Sequence, residues 1–134
     1  MPPHVVRVVI ADDHPAALIV FSHILQRQFE VVAAVQNGQE ALNVVNDLQP
    51  DVVILDIDMP VMDGLTAARL LLAKWPTQRI VFLTVHADSA YIEAALAMGA
   101  LGYVLKAKAT SDLPRAVNMA MLGRSFVSEF ASLD

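Results

Sequence analysis

The chain has 134 residues, no cysteine, nine basic against fourteen acidic residues and a mean hydropathy of +0.52. That length suits one domain with a core of its own, and the missing cysteines exclude disulfides and thiolate metal sites and fit a reducing cytoplasm. The net charge of −5, with no basic cluster, argues against direct nucleic-acid binding. A membrane span is not expected, because the longest uncharged stretch, 14–26, holds a proline, a serine and two histidines and a span needs about 20 mostly apolar residues. The start "MPPHVVR" has no signal-peptide pattern.

Apolar runs and helical patterns alternate along the chain. Val5–Ala11 reads as the first strand, and Leu18, Phe21 and Leu25 then mark a helix with Pro15 in its first turn. Val31–Val35 reads as the second strand. Ala41, Val44, Val45 and Leu48 follow at helical spacing, with Asn37 and Glu40 spaced as a capping box and Pro50 as the stop. Val52–Leu55 is a run of four apolar residues, the signature of a strand buried on both faces. Leu65, Ala68 and Leu72 mark the third helix, ended by Trp75-Pro76. Ile80–Leu83 is the fourth strand, and Asp88 or Ser89 caps a helix that stops at Gly99. Leu101–Leu105 is the fifth strand, and a helix capped by Thr110 or Ser111 runs to about Leu122. The remainder, 123–134, reads as a tail or the start of a linker.

Five strands alternating with five helices predict a three-layer α/β domain with a parallel sheet of order 2-1-3-4-5. In such a sheet, ligands sit beyond the carboxyl ends of the strands, where the order reverses between strands one and three. Asp12-Asp13 ends strand one, Asp56 strand three, Thr84 strand four and Lys106 strand five. Carboxylates gathered at one rim repel unless a cation joins them, and oxygen-only ligands favour a hard ion such as Mg²⁺. A metal, a lysine and a hydroxyl around one carboxylate suit phosphoryl transfer, with Asp56 as nucleophile and aspartyl-phosphate as product. Any one of these acids could equally be an ordinary loop or capping residue; four strands delivering polar groups to the same rim point to a site. The four histidines show no metal-ligand spacing, and His14 is expected at the surface or a helix edge.

The stretches "VVIADDHP", "VVILDIDMPVMDG", "VFLTVHAD" and "GALGYVLK", in that order and spacing, resemble a response-regulator receiver domain over about residues 5–122. "ADDHP" and the lysine without a following proline are most similar to receivers that precede a LuxR-type helix-turn-helix. The resemblance implies a CheY-like, flavodoxin-like (βα)5 fold for 1–122, and 123–134 as a tail or the start of a linker to an output domain outside this chain. It implies Asp56 as phosphoacceptor and Mg²⁺ (or Mn²⁺) held by Asp12, Asp13, Asp56 and the backbone carbonyl of Asp58. Thr84 and Lys106 would stabilise the phosphoryl group, and Thr84 and Tyr103 would form the switch, Tyr103 turning inward as Thr84 moves toward the phosphoryl oxygens. Asp58 and His86 would tune phosphoryl lifetime, and "MDG" would form a turn at Gly64. The implied partners are a sensor histidine kinase, a second copy through the fourth helix, fifth strand and fifth helix or through the first and fifth helices, and DNA only through the output domain, all in the cytoplasm. Ala107 stands where many receivers carry proline, so the loop after Lys106 is expected to differ from theirs. The competing enzyme reading is a haloacid-dehalogenase-type phosphatase with Asp56 as nucleophile and Asp58 as general acid; Pro60 and the short chain count against it.

Overall fold

A computed structural model describes residues 4–129. The elements run β1 (Arg7–Ala11), α1 (Pro15–Gln26), β2 (Glu30–Val35), α2 (Gly38–Leu48), β3 (Val52–Leu55), α3 (Gly64–Lys74), β4 (Arg79–Thr84), α4 (Ser89–Ala97), β5 (Gly102–Leu105), α5 (Ala109–Met121) and β6 (Phe126–Val127). All strand pairs are parallel and the order is β2-β1-β3-β4-β5-β6. The predicted 2-1-3-4-5 order is therefore present, with one short strand added at the β5 edge. That strand comes from the segment expected as tail or linker. Two residues are too few to show a periodicity, so the sequence carried no sign of it.

The pleat sorts the strand side chains between two apolar layers. Val9, Ala11, Val53, Leu55, Ile80, Phe82 and Tyr103 pack on one side of the sheet with residues of α2, α3 and α4. Val8, Ile10, Val52, Ile54, Val81, Leu83 and Val104 pack on the other with α1 and α5. Every residue of β3 is wholly buried, which accounts for its unbroken apolar run.

Most predicted boundaries lie within two residues of the observed ones. Asn37 caps α2 by accepting from the Glu40 N–H at 2.9 Å, and the Glu40 carboxylate accepts from the Gln36 N–H at 2.9 Å, one residue earlier than a standard capping box. At α5 the expected caps do not operate. A 3₁₀ turn at Lys106–Lys108 leads straight into a helix beginning at Ala109, so Thr110 and Ser111 already lie inside it. The chain turns as soon as it leaves β5, and the Ala109 N–H donates to the Lys106 carbonyl of that turn, with no side chain capping the helix.

Gly64 is required by a close approach of backbone rather than by turn conformation. It is the first residue of α3, and a Cβ there would come within 1.8 Å of the Asp56 carbonyl oxygen. The unusual backbone falls on Val61, whose φ is 69°. The Met62 N–H donates to the Pro60 carbonyl at 2.7 Å, making a γ-turn of the rare, strained hand around Val61.

Candidate functional site

Asp12 and Asp56 leave the sheet side by side. Ala11 and Leu55 are register partners, and the Asp56 N–H donates to the Ala11 carbonyl at 3.0 Å. Both acids are buried, at 1% and 5% exposure. Lys106, the first residue after β5, places its ammonium 2.6 Å from Asp12 Oδ2 and 2.8 Å from Asp56 Oδ2. The same ammonium lies 5.9 Å from the ring centroid of Phe21, on α1. The predicted convergence of acids and lysine at the switch point is thus present in the geometry.

The charges in this cluster do not balance. Burial, with the charge of Asp12 beside it, pushes the Asp56 carboxyl above the usual range, and the hydrogen bond and charge of Lys106 offset only part of that rise. Burial alone would lower Lys106, but its contacts with Asp12 and Asp56 outweigh it and hold the ammonium in its charged form. Asp13 lies next to the pair, its side chain 30% exposed.

The pocket fits a hard divalent cation. Asp12 Oδ2 and Asp13 Oδ1 are buried; the first lies 2.6 Å from the Lys106 ammonium and the second 3.0 Å from the His14 imidazole. Carboxylate oxygens in excess over one ammonium are the ligand set such an ion seeks. His14 was expected at the surface, and its ring is 71% exposed, yet it also faces the acids. Asp12, Asp13 and His14 each offer a ligand atom within 4.8 Å of the others. The cause is local: Asp12 Oδ1 accepts from the His14 N–H at 3.0 Å, curling the chain back on the acid.

Thr84 is fully buried at the end of β4, and its hydroxyl oxygen accepts from the His86 N–H at 3.2 Å. Tyr103 already lies inside the fold: its ring is wholly buried and its hydroxyl donates to the His86 carbonyl at 2.7 Å. The inward turn expected on phosphorylation is therefore not needed to bring it there. Burial holds this phenol well above its ordinary value, in the protonated form that donates. The His86 imidazole pairs with the Asp58 carboxylate and stacks on Tyr91, with centroids 4.4 Å apart. Asp58 is 67% exposed and turned to that histidine. A general acid would need to reach the substrate of Asp56, so this orientation leaves the phosphatase reading without support.

Two residues that the sequence did not single out are joined behind the end of β5. Ser128, just after β6, is 1% exposed and donates to Asp112 Oδ2 at 2.7 Å. Among the described residues, no helix is long and apolar enough to cross a membrane.

The transcriptional regulatory protein DegU of Brevibacillus brevis is 34% identical over 124 residues, which cover 91% of this chain and 52% of DegU. A solved two-component response regulator of the LuxR family from Aurantimonas sp. SI85-9A1 superposes with a TM-score of 0.88 at 28% identity, covering 93% of this chain and 90% of that one. The isolated receiver domain of RcsB from Salmonella enterica serovar Typhimurium, solved with the phosphomimetic BeF₃⁻, gives a TM-score of 0.86 at 30% identity, covering 94% and 95%. RcsB has also been solved as two dimers bound to two parallel DNAs, with a TM-score of 0.86, 30% identity and coverage of 94% and 64%. The chain spans about half the length of the curated relatives it matches. The response regulator receiver domain family matches residues 8–118, and this chain, a CheY-like receiver most similar to those of LuxR- and NarL-type transcription regulators, belongs to that family.

Proposed function

We propose that this receiver accepts a phosphoryl group on Asp56 from the phosphohistidine of a sensor kinase, and so controls a DNA-binding output domain. The observation that carries the proposal is the Lys106 ammonium bridging two buried carboxylates on adjacent strands, Asp12 and Asp56. An oxygen of Asp56 would attack phosphorus while the bond from phosphorus to the donor imidazole breaks, and the departing imidazole takes up a proton. Burial makes Asp56 more basic than an exposed carboxylate and so a better nucleophile. Asp12, Asp13, Asp56 and the Asp58 carbonyl would hold Mg²⁺ or Mn²⁺, which when bound would neutralise charge building on the phosphoryl oxygens. Lys106 would transfer one of its contacts from Asp56 to a phosphoryl oxygen. Thr84, whose oxygen accepts from the His86 N–H, would donate its hydroxyl proton to another.

The Asp58–His86 pair, with Tyr91 stacked on the imidazole, would limit water's access to the phosphorylated carboxylate. The change of state would reach the α4–β5–α5 face through Thr84, His86 and Tyr103, which are already joined by hydrogen bonds. The module would turn over no substrate beyond gaining and losing this one group. A second copy would dock on α1 and α5, where Ile19 and Val20 are 64% and 56% exposed beside Thr110 and Pro114. The cysteine-free sequence supports a cytoplasmic setting.

Incubation with acetyl phosphate and Mg²⁺ tests the core of this reading. One phosphoryl group per chain is expected by intact mass, with none in Asp56→Asn. Incorporation that persists in Asp56→Asn refutes it.

A further inference from the structure

The β6 segment is bonded to the same strand that presents the site lysine. The Phe126 N–H donates to the Leu101 carbonyl at 2.8 Å and the Ser128 N–H to the Tyr103 carbonyl at 2.9 Å. The Ser128 hydroxyl oxygen then accepts from the Leu105 N–H at 3.2 Å while its proton goes to Asp112 Oδ2 at 2.7 Å. Asp112 is itself buried, at 8% exposure, and its other oxygen accepts from Ser111 at 3.2 Å. The Arg115 guanidinium lies 5.4 Å from the Phe126 ring centroid, and Lys108 donates to the Glu129 carbonyl. One buried hydroxyl therefore ties together three pieces of chain: the end of β5, the first turns of α5 and the segment leaving β6.

Leu105 immediately precedes Lys106. Its N–H sits at the point where β5 gives way to the 3₁₀ turn, and β6 is too short to supply a backbone acceptor there. Without Ser128 this donor would be left near the edge of the sheet and the turn that carries Lys106 would lose an anchor. The Tyr103 carbonyl, also held by Ser128, belongs to the residue whose hydroxyl reaches the His86 carbonyl.

We propose that Ser128, braced by Asp112, is a positioning residue for Lys106, and that through it the chain after β6 senses whether the acidic site is occupied. The inference rests on the phosphoacceptor reading above. Coupling runs both ways by linkage: a segment that helps hold Lys106 toward the site is itself held more firmly when the site's ligand engages Lys106. Position along the chain matters here, because Ser128 directly follows β6.

The test is a double-mutant cycle on the rate of phosphoryl incorporation from acetyl phosphate with Mg²⁺. Ser128→Ala is expected to slow incorporation about five-fold, in keeping with one net hydrogen bond. In a Lys106→Gln background the same change is expected to alter the rate less than about two-fold, because residues that act through one another are not additive. A purely structural role would give equal slowing in both backgrounds, and that result, or no slowing in either, overturns the proposal. Failure of the phosphoacceptor reading looks different: the unaltered protein would take up no phosphoryl group. A further measurement needs no variant. With BeF₃⁻ and Mg²⁺ added to the unaltered protein, amide exchange at Phe126 and Ser128 is expected to slow more than in β2, at the far edge of the sheet. Unchanged exchange at both amides overturns the proposal as well.

Discussion

At the scale of single residues, Asp56 holds a charge where burial disfavours it. Its carboxyl is shifted upward despite the lysine 2.8 Å away, so the folded state binds its proton more tightly than the unfolded chain does. The contribution of this group to stability therefore falls as pH rises from the unfolded value near 3.8 through the shifted folded value. Asp56→Asn keeps the shape and removes the charge. It is expected to be more stable than the parent at neutral pH, with the gap closing as the solution is acidified below that range. Urea denaturation at several pH values checks this, and a parent more stable than the variant at neutral pH would contradict it. His86 makes a second residue-scale case. His86→Ala removes the partner of Asp58 and the stack on Tyr91; it is expected to shorten the phosphoryl half-life and leave the unfolding midpoint nearly unchanged, measured by loss of mass after removal of the donor.

The site's acids were legible in the sequence because each follows directly on an apolar run, and strand ends place polar groups at one rim. The turn around Asp12 was less visible. Only the Asx-type hydrogen bond from the His14 N–H brings that imidazole to the acids, and no spacing rule for metal ligands covers adjacent positions in the chain. Ser128 and Asp112 were hidden for a related reason, since a serine two residues past an aromatic carries no signal until its strand is paired.

At the scale of elements, the loop from β3 to α3 stores strain close to Asp56. Val61 is β-branched, 82% exposed and left-handed in backbone, so it gains little from packing and bears the full cost of its conformation. The Gly64 N–H bonded to the Ile57 carbonyl at 2.8 Å, and the Gly38 N–H bonded to the Met62 carbonyl at 2.9 Å, clamp the loop from either side. Val61→Asn, a residue that tolerates this region, is expected to stabilise the protein by about 1 kcal/mol. Gly64→Ala is expected to destabilise it by about 3 kcal/mol, as overpacking does, because the neighbour to be displaced is the backbone of Asp56. Thermal unfolding of both variants measures the pair, and loss of stability in Val61→Asn would refute the assignment of strain. The "MDG" motif marked this loop in the sequence, but the reason for its glycine, a close approach to β3, depends on tertiary packing and not on local turn chemistry.

At the scale of the whole molecule, the parallel sheet faces helices on both sides, and all its strands deliver their carboxyl ends to one edge. The four-residue run Val52–Leu55 fixed its central strand by being apolar on both faces, and that in turn fixed where the acids must emerge. The β6 addition extends the same sheet by a segment whose pattern is too short to read in advance. Because the acidic pocket exists only in the folded chain, a bound divalent ion stabilises the fold by mass action, by about 2.7 kcal/mol at a hundredfold excess over its dissociation constant. Mg²⁺ is therefore expected to raise the unfolding midpoint of the parent, and to do so much less in Asp12→Asn; an equal rise in both would place the ion elsewhere.

On the phosphoacceptor reading one carboxylate, Asp56, carries the phosphoryl group. Borohydride reduces an aspartyl-phosphate to homoserine, so protein treated with acetyl phosphate and Mg²⁺, reduced and sequenced by mass spectrometry, reports the acceptor directly. Homoserine at position 56 is the expected result. Homoserine at position 12, 13 or 58, with position 56 unmodified, would contradict the account.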